Sequence, residues 1–412
     1  MIYRARWVLP IDRPPIAGGW IDARDGRIAA MGSGTPPGSS DDVEDLGDVA
    51  LLPGLVNAHT HLELSWMAGL VPPADSMNDW IRALLRLRQA GPAGGESAIV
   101  AAMARAAVSM HATGTVLVGD ISNTLASPRA LVQARLGGVV FHELLGFNAP
   151  DPAGAVRHAW ERVARAQQML GEPENPRTRE PENPIVFSVC AHAPYSVSPA
   201  LFQEIAVQRG LSLLTVHLAE SAEEVEFLRT GGGPIQETLD HLGVWTETWP
   251  IPRTDPVRYL AGLGYLQPGV LIVHGVHLTD DSLDRLRDAR AVIVTCPRSN
   301  LWVGAGPPRL SHFYSARLPV AIGTDSLAST PTLNLFDELA EMRRMAPEIT
   351  AAALLDSATR AGADALGFGE EYGTLAVGKR AALVGVQIPA VTRDVEEYLV
   401  SGVPADAIRR VA

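Results

Sequence analysis

His59 and His61 stand two residues apart at the end of Pro53-Gly-Leu-Val-Asn-Ala-His-Thr-His61. On an extended chain, side chains two apart point to the same side, so the two imidazoles converge. Two neutral imidazoles so placed begin a site for Zn or Fe, although a chance pair at a strand end has the same spacing. Three more residues of ligand type, His217, His274 and Asp325, each close an apolar run. A single histidine finishing a buried strand is usually a satisfied polar residue. Three such termini together with the histidine pair point to a metal-assisted hydrolytic centre. Glu220 follows His217 by three residues, which suits a proton carrier beside the reacting atoms. Its plainer reading is an acidic first helical turn running into residues 221–224.

Such residues need elements that bring strand ends together. Apolar runs at 55–61, 115–121, 138–145, 185–192, 211–217, 270–274, 291–296 and 318–325 alternate with Ala-, Leu- and Arg-rich helical stretches such as 99–111 and 280–290. Eight strand–helix units over about 300 residues predict an α/β fold, a (β/α)8 TIM barrel. Near-continuous apolar strands are expected where both faces are covered. Barrel sites assemble at the C-terminal strand ends, where the histidines and Asp325 fall. Both ends of the chain differ in texture. Residues 2–11, 20–23 and 27–31, the last two around an Asp25-Gly26 turn, read as strands, and after a last helix at 351–366 turn-and-strand texture returns at 373–380, 381–386 and 398–400. The expected organisation is a barrel over 51–366 flanked by a small β-sandwich lobe built from 1–50 and 367–412. Two Glu-Pro-Glu-Asn-Pro copies at 172–176 and 180–184 read as a proline-rich surface loop without chemistry.

Bulk properties exclude other classes. The 412 residues are 47% hydrophobic and 19% charged, a globular balance. A net charge of 34 − 46 = −12 repels polyanions, so no nucleic-acid partner is expected. Two cysteines, Cys190 and Cys296, lie in apolar runs, which fits a reducing compartment. Residues 1–15 lack the pattern of a signal peptide, and no run is long enough to span a membrane, so a cytoplasmic enzyme without a membrane partner is expected. Whether the chain pairs as a homodimer is left open.

The segments Pro53-Gly-Leu-Val-Asn-Ala-His-Thr-His61, His217-Leu-Ala-Glu220, His274-Gly-Val-His277 and Gly323-Thr-Asp325 resemble the amidohydrolase superfamily, in its cytosine deaminase, chlorohydrolase and adenosine-type deaminase branch. The resemblance covers nearly the whole chain, including 373–380. It implies that His59, His61, His217 and Asp325 hold one divalent ion, Zn2+ or Fe2+. The bridging carbamylated lysine of binuclear members has no counterpart, because residues 184–192 contain no lysine. His192, in Cys190-Ala-His-Ala-Pro-Tyr195, resembles the segment that contacts substrate. Asp325 is then suited to take the proton of the water, Glu220 to shuttle it to a ring nitrogen and His274 to hold the attacking oxygen. His277 reads as a packing residue.

Residues following the runs include Glu63, Trp80, Phe147, Tyr195, Arg298, Trp302 and Ser326. Aromatic groups and one cation predict a flat heteroaromatic substrate with an anionic group, clamped by Arg298; a surface role for Arg298 fits as well. His59-Thr-His-Leu-Glu-Leu-Ser65 resembles aminodeoxyfutalosine deaminases of the futalosine route to menaquinone, which implies removal of the 6-amino group from an adenine nucleoside. The same residues fit other aminohydrolases (adenosine, S-adenosylhomocysteine, guanine or triazine type) and cyclic amide hydrolases. A barrel that has lost its chemistry should lack a ligand, and none is missing.

Overall fold

A computed structural model describes residues 1–37, 42–171 and 184–412. The chain opens with seven short strands: β1 (Ile2–Arg4), β2 (Trp7–Val8), β3 (Ile16–Ala17), β4 (Gly19–Arg24), β5 (Arg27–Ser33), β6 (Val43–Asp45) and β7 (Val49–Pro53). Four of them form a sheet in the order β5-β4-β1-β6. The others join two late strands in the order β17-β16-β7-β2-β3, where β16 is Leu383–Gln387 and β17 is Ile408–Arg410. Residues from both ends of the chain, among them Val8, Ile21, Ile28, Leu51, Leu375 and Leu383, share one buried cluster.

Three of the expected elements differ. Residues 2–11 do not form one strand, because Ala5 N–H donates to Gly19 O while Arg6 N–H donates to Gly47 O, and the chain passes between sheets. Residues 398–400 are helical. The Asp394 side chain accepts from Glu397 N and caps a helix at Val395–Val400, a start signal that outweighs the β-branched and aromatic residues. The helix expected at 351–366 is two, Ala351–Ser357 and Arg360–Ala365, broken at Thr359 with φ −134° and ψ −88°. The repeated loop at 172–184 lies, apart from Pro184, outside the described residues.

The eight apolar runs become β8 (Leu55–Thr60), β9 (Thr115–Ser122), β10 (Gly137–Leu144), β11 (Ile185–Ala191), β12 (Thr215–Leu218), β13 (Leu271–His274), β14 (Val292–Thr295) and β15 (Val320–Ile322). They form two parallel four-stranded sheets, β11-β10-β9-β8 and β12-β13-β14-β15. Alternation along each strand sorts its residues to two faces. Ala58, Leu117, Phe141, Cys190, Val273 and Val294, from six strands of both sheets, meet in one buried cluster. Their neighbours Val118, Val140 and Val189 pack instead with Met103, Ala107 and Met110 of the helix Gly95–Ala112. The arrangement is the α/β fold the sequence predicts, with parallel strands covered on both faces. At one junction of the sheets Thr60 forms a parallel bridge with Asp325, and at the other His217 N–H donates to His192 O at 2.9 Å. The C-terminal ends of β8 and β15, and those of β11 and β12, therefore lie together. Among the described residues, no helix is long and apolar enough to cross a membrane.

Candidate active site and metal centre

His59 and His61 leave the end of β8, His217 leaves β12 and Asp325 follows β15. The Nε2 atoms of His59 and His61 are 3.2 Å apart, and those of His61 and His217 are 3.3 Å apart. Asp325 Oδ1 lies 3.5 Å from His61 Nε2 and 3.8 Å from His59 Nε2. Four donors held at 2.0–2.1 Å around a tetrahedral ion stand about 3.3 Å apart, so the separations match those of a ligand shell. Three ring nitrogens gathered with their lone pairs inward repel one another without a cation or protons between them. Gly323 permits the approach of strand to strand here: a Cβ on it would lie 2.7 Å from His59 Cβ and 2.9 Å from Cys296 Sγ.

Two of the four donors, His217 and Asp325, are oriented from behind. His217 Nδ1 lies 3.0 Å from His192 O, which fixes its proton there and leaves Nε2 as the free lone pair. Asp325 Oδ2 accepts from Ser299 Oγ at 2.6 Å and Ser329 Oγ at 2.7 Å, so Oδ1 is the oxygen that faces the imidazoles. Burial pushes the Asp325 carboxyl upward, but the close imidazoles of His59, His61 and His274 outweigh it and hold the group well below the usual carboxylate range. Burial lowers His217 to about 3 and His61 well below the ordinary histidine value, and both are neutral. Asp325 and His274 adopt left-handed backbone at φ 58° and φ 71°. Such residues are strained by about 1–3 kcal/mol and persist where their surroundings fix them. Asp325 N–H donates to His59 O at 3.1 Å and Thr60 Oγ1 donates to Asp325 O at 2.8 Å.

Glu220 and His274 complete the cluster. Both are buried, and Glu220 Oε1 lies 3.5 Å from His274 Nε2. Burial, then the charges of Asp325 and Glu224, raise the Glu220 carboxyl well above its usual range. Asn300 Nδ2 lies 2.9 Å from His274 Nδ1, so the amide donates and His274 keeps its proton at Nε2, toward Glu220. His192 Nδ1 pairs with Ser196 Oγ at 2.6 Å, and burial lowers the ring to about 4.

These groups face a cavity of about 200 Å3 that Trp80, Tyr195 and Ser326 also line. Four of the residues expected in the substrate pocket, Glu63, Phe147, Arg298 and Trp302, are not on its lining. Glu63 accepts from Asn123 N at 3.1 Å and Thr124 Oγ1 at 2.7 Å, as well as from Ser122 Oγ, and so ties its turn to the loop after β9. Arg298 Nη1 is spent on Thr332 Oγ1 at 2.9 Å, Asp337 at 3.4 Å and Glu338 at 3.6 Å. Trp302 Nε1 donates to Val71 O at 3.1 Å. Phe147 stacks on Trp245 at 6.0 Å, and His277 Nε2 bonds Ala305 O at 3.0 Å. Conversely Arg88, Asn123 and Glu143 line the cavity without having been singled out. For Glu143 a signal existed: Val139, Phe141 and Glu143 share one face of β10, so a buried acid continues an interior apolar row. Ser299 and Asn300 adjoin Arg298 in the sequence, but which of the three turns inward depends on the helix that starts at Pro297.

The chain is similar to known proteins in sequence and in fold. The profile of the amidohydrolase family matches residues 50–405. Aminodeoxyfutalosine deaminase of Deinococcus radiodurans is 31% identical over 342 residues, 79% of this chain and 75% of the relative. The 5-methylthioadenosine/S-adenosylhomocysteine deaminase of Nitratidesulfovibrio vulgaris is 29% identical over 379 residues, 86% of this chain and 76% of the relative. An adenosine deaminase from Xanthomonas campestris, solved with bound zinc, superposes with a TM-score of 0.79 at 23% identity, covering 99% of this chain and 90% of the other.

Proposed function

This chain belongs to the amidohydrolase family, and on that premise we propose that it hydrolytically removes the 6-amino group of an adenine nucleoside, with 6-amino-6-deoxyfutalosine as the preferred substrate. The observation that carries the reading is Glu220 facing His274 at 3.5 Å beside three imidazoles and a carboxylate. Two relatives at about this level of identity deaminate adenine nucleosides by name, and the one at 31% is the aminodeoxyfutalosine enzyme.

His59, His61, His217 and Asp325 would hold one divalent ion, Zn2+ first and Fe2+ as the alternative, and the zinc in the Xanthomonas neighbour supports the choice. A single ion is supported by the lysine count. The chain's one lysine, Lys379, is tied to Gly369 O and Tyr372 O, so no bridging carbamate has a source near β11. When bound, such an ion would lower the pKa of water from about 15.7 to near 7. The chain's own groups then move the protons. Asp325, kept ionised, accepts the proton of the attacking water. Glu220, kept protonated by burial, donates to a ring nitrogen as C6 becomes tetrahedral and takes back the proton of the new C6 hydroxyl as the carbonyl forms, while the proton that Asp325 took from the water passes to the departing amine. His274 donates from Nε2 to the attacking oxygen and holds it through that intermediate. His192 and Trp80, on the cavity wall, contact the substrate, while Glu63, Arg298 and Trp302 brace the wall from behind.

The architecture read here is a closed (β/α)8 barrel over 51–366 and a β-sandwich lobe from 1–50 and 367–412. The Thr60–Asp325 bridge and the His217–His192 bond support closure at the two junctions between the sheets. A cytoplasmic place is supported by two buried free thiols, Cys190 and Cys296. Ammonia release over 6-amino-6-deoxyfutalosine, 5′-methylthioadenosine, S-adenosylhomocysteine, adenosine and guanine tests the reaction. Turnover of the first with the largest kcat/KM is expected, and inertness toward every adenine nucleoside removes the proposal. The second reading, a methylthioadenosine/S-adenosylhomocysteine enzyme, rests on the 29% relative and predicts a different order in that panel.

A further inference from the structure

The inner cavity continues outward into a groove of about 880 Å3 between the helices Met77–Ala90 and Pro234–His241. Leu85, Arg88, Thr238 and Leu242 line both spaces, so they form the neck between them. Among the described residues, Arg88 is the only Lys or Arg on the inner cavity's lining. A ring that reaches His192, Glu220 and Asp325 must leave whatever it carries in this neck, beside the Arg88 guanidinium.

Arg88 is held rather than loose. Its Nη2 donates to Asn123 Oδ1 at 3.2 Å, and Asn123 Nδ2 donates to Glu143 Oε2 at 2.9 Å and to Glu143 O at 3.2 Å. Asn123 is fixed in turn by its backbone, whose N–H donates to Glu63 Oε2 at 3.1 Å. The partner of Arg88 is thus an uncharged amide oxygen, and among the described residues no carboxylate pairs with it at contact distance. Among the described residues one of its five guanidinium donors is used and its charge also acts on the nearby Glu143 carboxyl, which leaves four N–H groups to meet a ligand. Most other hydrogen-bonded arginines among the described residues face an acid of the chain itself, as Arg258 does with Asp255 and Asp281. Arg298, the cation expected from sequence to meet an anionic substrate, is already paired with Asp337 and Glu338.

We propose that Arg88, oriented by the Asn123–Glu143 hydrogen-bond chain, is the specificity residue that receives a carboxylate carried on the sugar side of the nucleoside, and that this enzyme selects anionic over neutral 6-aminopurine nucleosides. The inference rests on the deaminase reading for its ring, but not for its charge preference. The fork of a guanidinium matches a carboxylate in two parallel hydrogen bonds, which a neutral amide of the same shape cannot reproduce.

The test compares 5′-S-(2-carboxyethyl)-5′-thioadenosine with its carboxamide, two substrates alike in shape and different in charge. The wild-type enzyme should prefer the acid by about ten-fold or more in kcat/KM, expressed in KM, as a charge-assisted hydrogen bond lost or made provides. Arg88→Gln should bring the acid-to-amide ratio to about one, and Arg88→Lys should retain part of it. A ratio near one in the wild type, or a ratio that survives Arg88→Gln, overturns the inference. Calorimetric Kd values for the two inosine counterparts read the same preference without turnover. If neither adenosine compound is deaminated but the inosine acid still binds more tightly and loses that advantage in Arg88→Gln, the reaction is misassigned and the carboxylate subsite stands. Equal Kd values for the two inosine compounds overturn the subsite whatever the activity.

Discussion

Glu220 Oε1 lies 3.5 Å from His274 Nε2, both closed off from solvent, and neither belongs to the group of donors around His61. Removing the acid while keeping its shape therefore separates chemistry from metal binding. Glu220→Gln should retain the ion, measured by elemental analysis, and lower kcat by about 10²–10⁴-fold, the range of general acid–base catalysis. Unchanged kcat takes the proton shuttle away from Glu220.

His274 works only as well as its proton is placed. Asn300 Nδ2 meets His274 Nδ1 at 2.9 Å and both side chains are buried, so the amide chooses the tautomer. Asn300→Leu should release that choice and leave a buried ring nitrogen unpaired, a loss of about 1–3 kcal/mol. The expected result is a fall of about ten-fold in kcat with a smaller change in KM, together with a shift of the His274 ring nitrogens in 15N NMR. A Tm loss with kcat and the ring signals unchanged makes Asn300 a packing residue only.

The strand ends were legible because parallel strands buried on both faces must be apolar, and a polar residue that closes such a run is conspicuous. His59, His61, His217, His274 and Asp325 all stood out in that way, and the structure brings them within a few residues' reach of one cavity. Glu143 was legible in principle through its parity with Val139 and Phe141 on β10. Arg88 was not. It lies on the helix Met77–Ala90 among Arg82 and Arg86, where a charge row reads as a solvated face, and only the fold turns one of the three toward the cavity. Arg298 misled for the complementary reason: its neighbours in space, Asp337 and Glu338, come from a helix that the sequence does not link to it.

The crowding of His59, His61 and His217 makes a prediction about loading. With three ring nitrogens within 3.2–3.3 Å contacts, the folded site gains from a cation and the unfolded chain does not. Dialysis against dipicolinate should abolish activity and lower Tm, and Zn2+ or Fe2+ added back should restore both. His217→Ala should drop metal content from one equivalent per chain to well below it. Two equivalents in the wild type, or full occupancy in His217→Ala, contradicts the proposed ligand set.

The corner behind the site predicts a pH dependence of stability. Glu338 is fully buried and accepts from Arg298 N at 3.1 Å, yet its Oε1 has no hydrogen-bond partner. Burial, only partly offset by Arg298, raises its pKa from 4.5 to about 8. The folded protein therefore keeps a proton on Glu338 between about pH 4.5 and 8, where the unfolded chain has released it. The unfolded state then binds fewer protons, so stability falls as pH rises through that window and levels off above it. Glu338→Gln keeps the neutral shape and should remove this component, so its Tm should fall less than that of the wild type between pH 5 and 8. Equal slopes in the two proteins across that range exclude Glu338 as the group responsible.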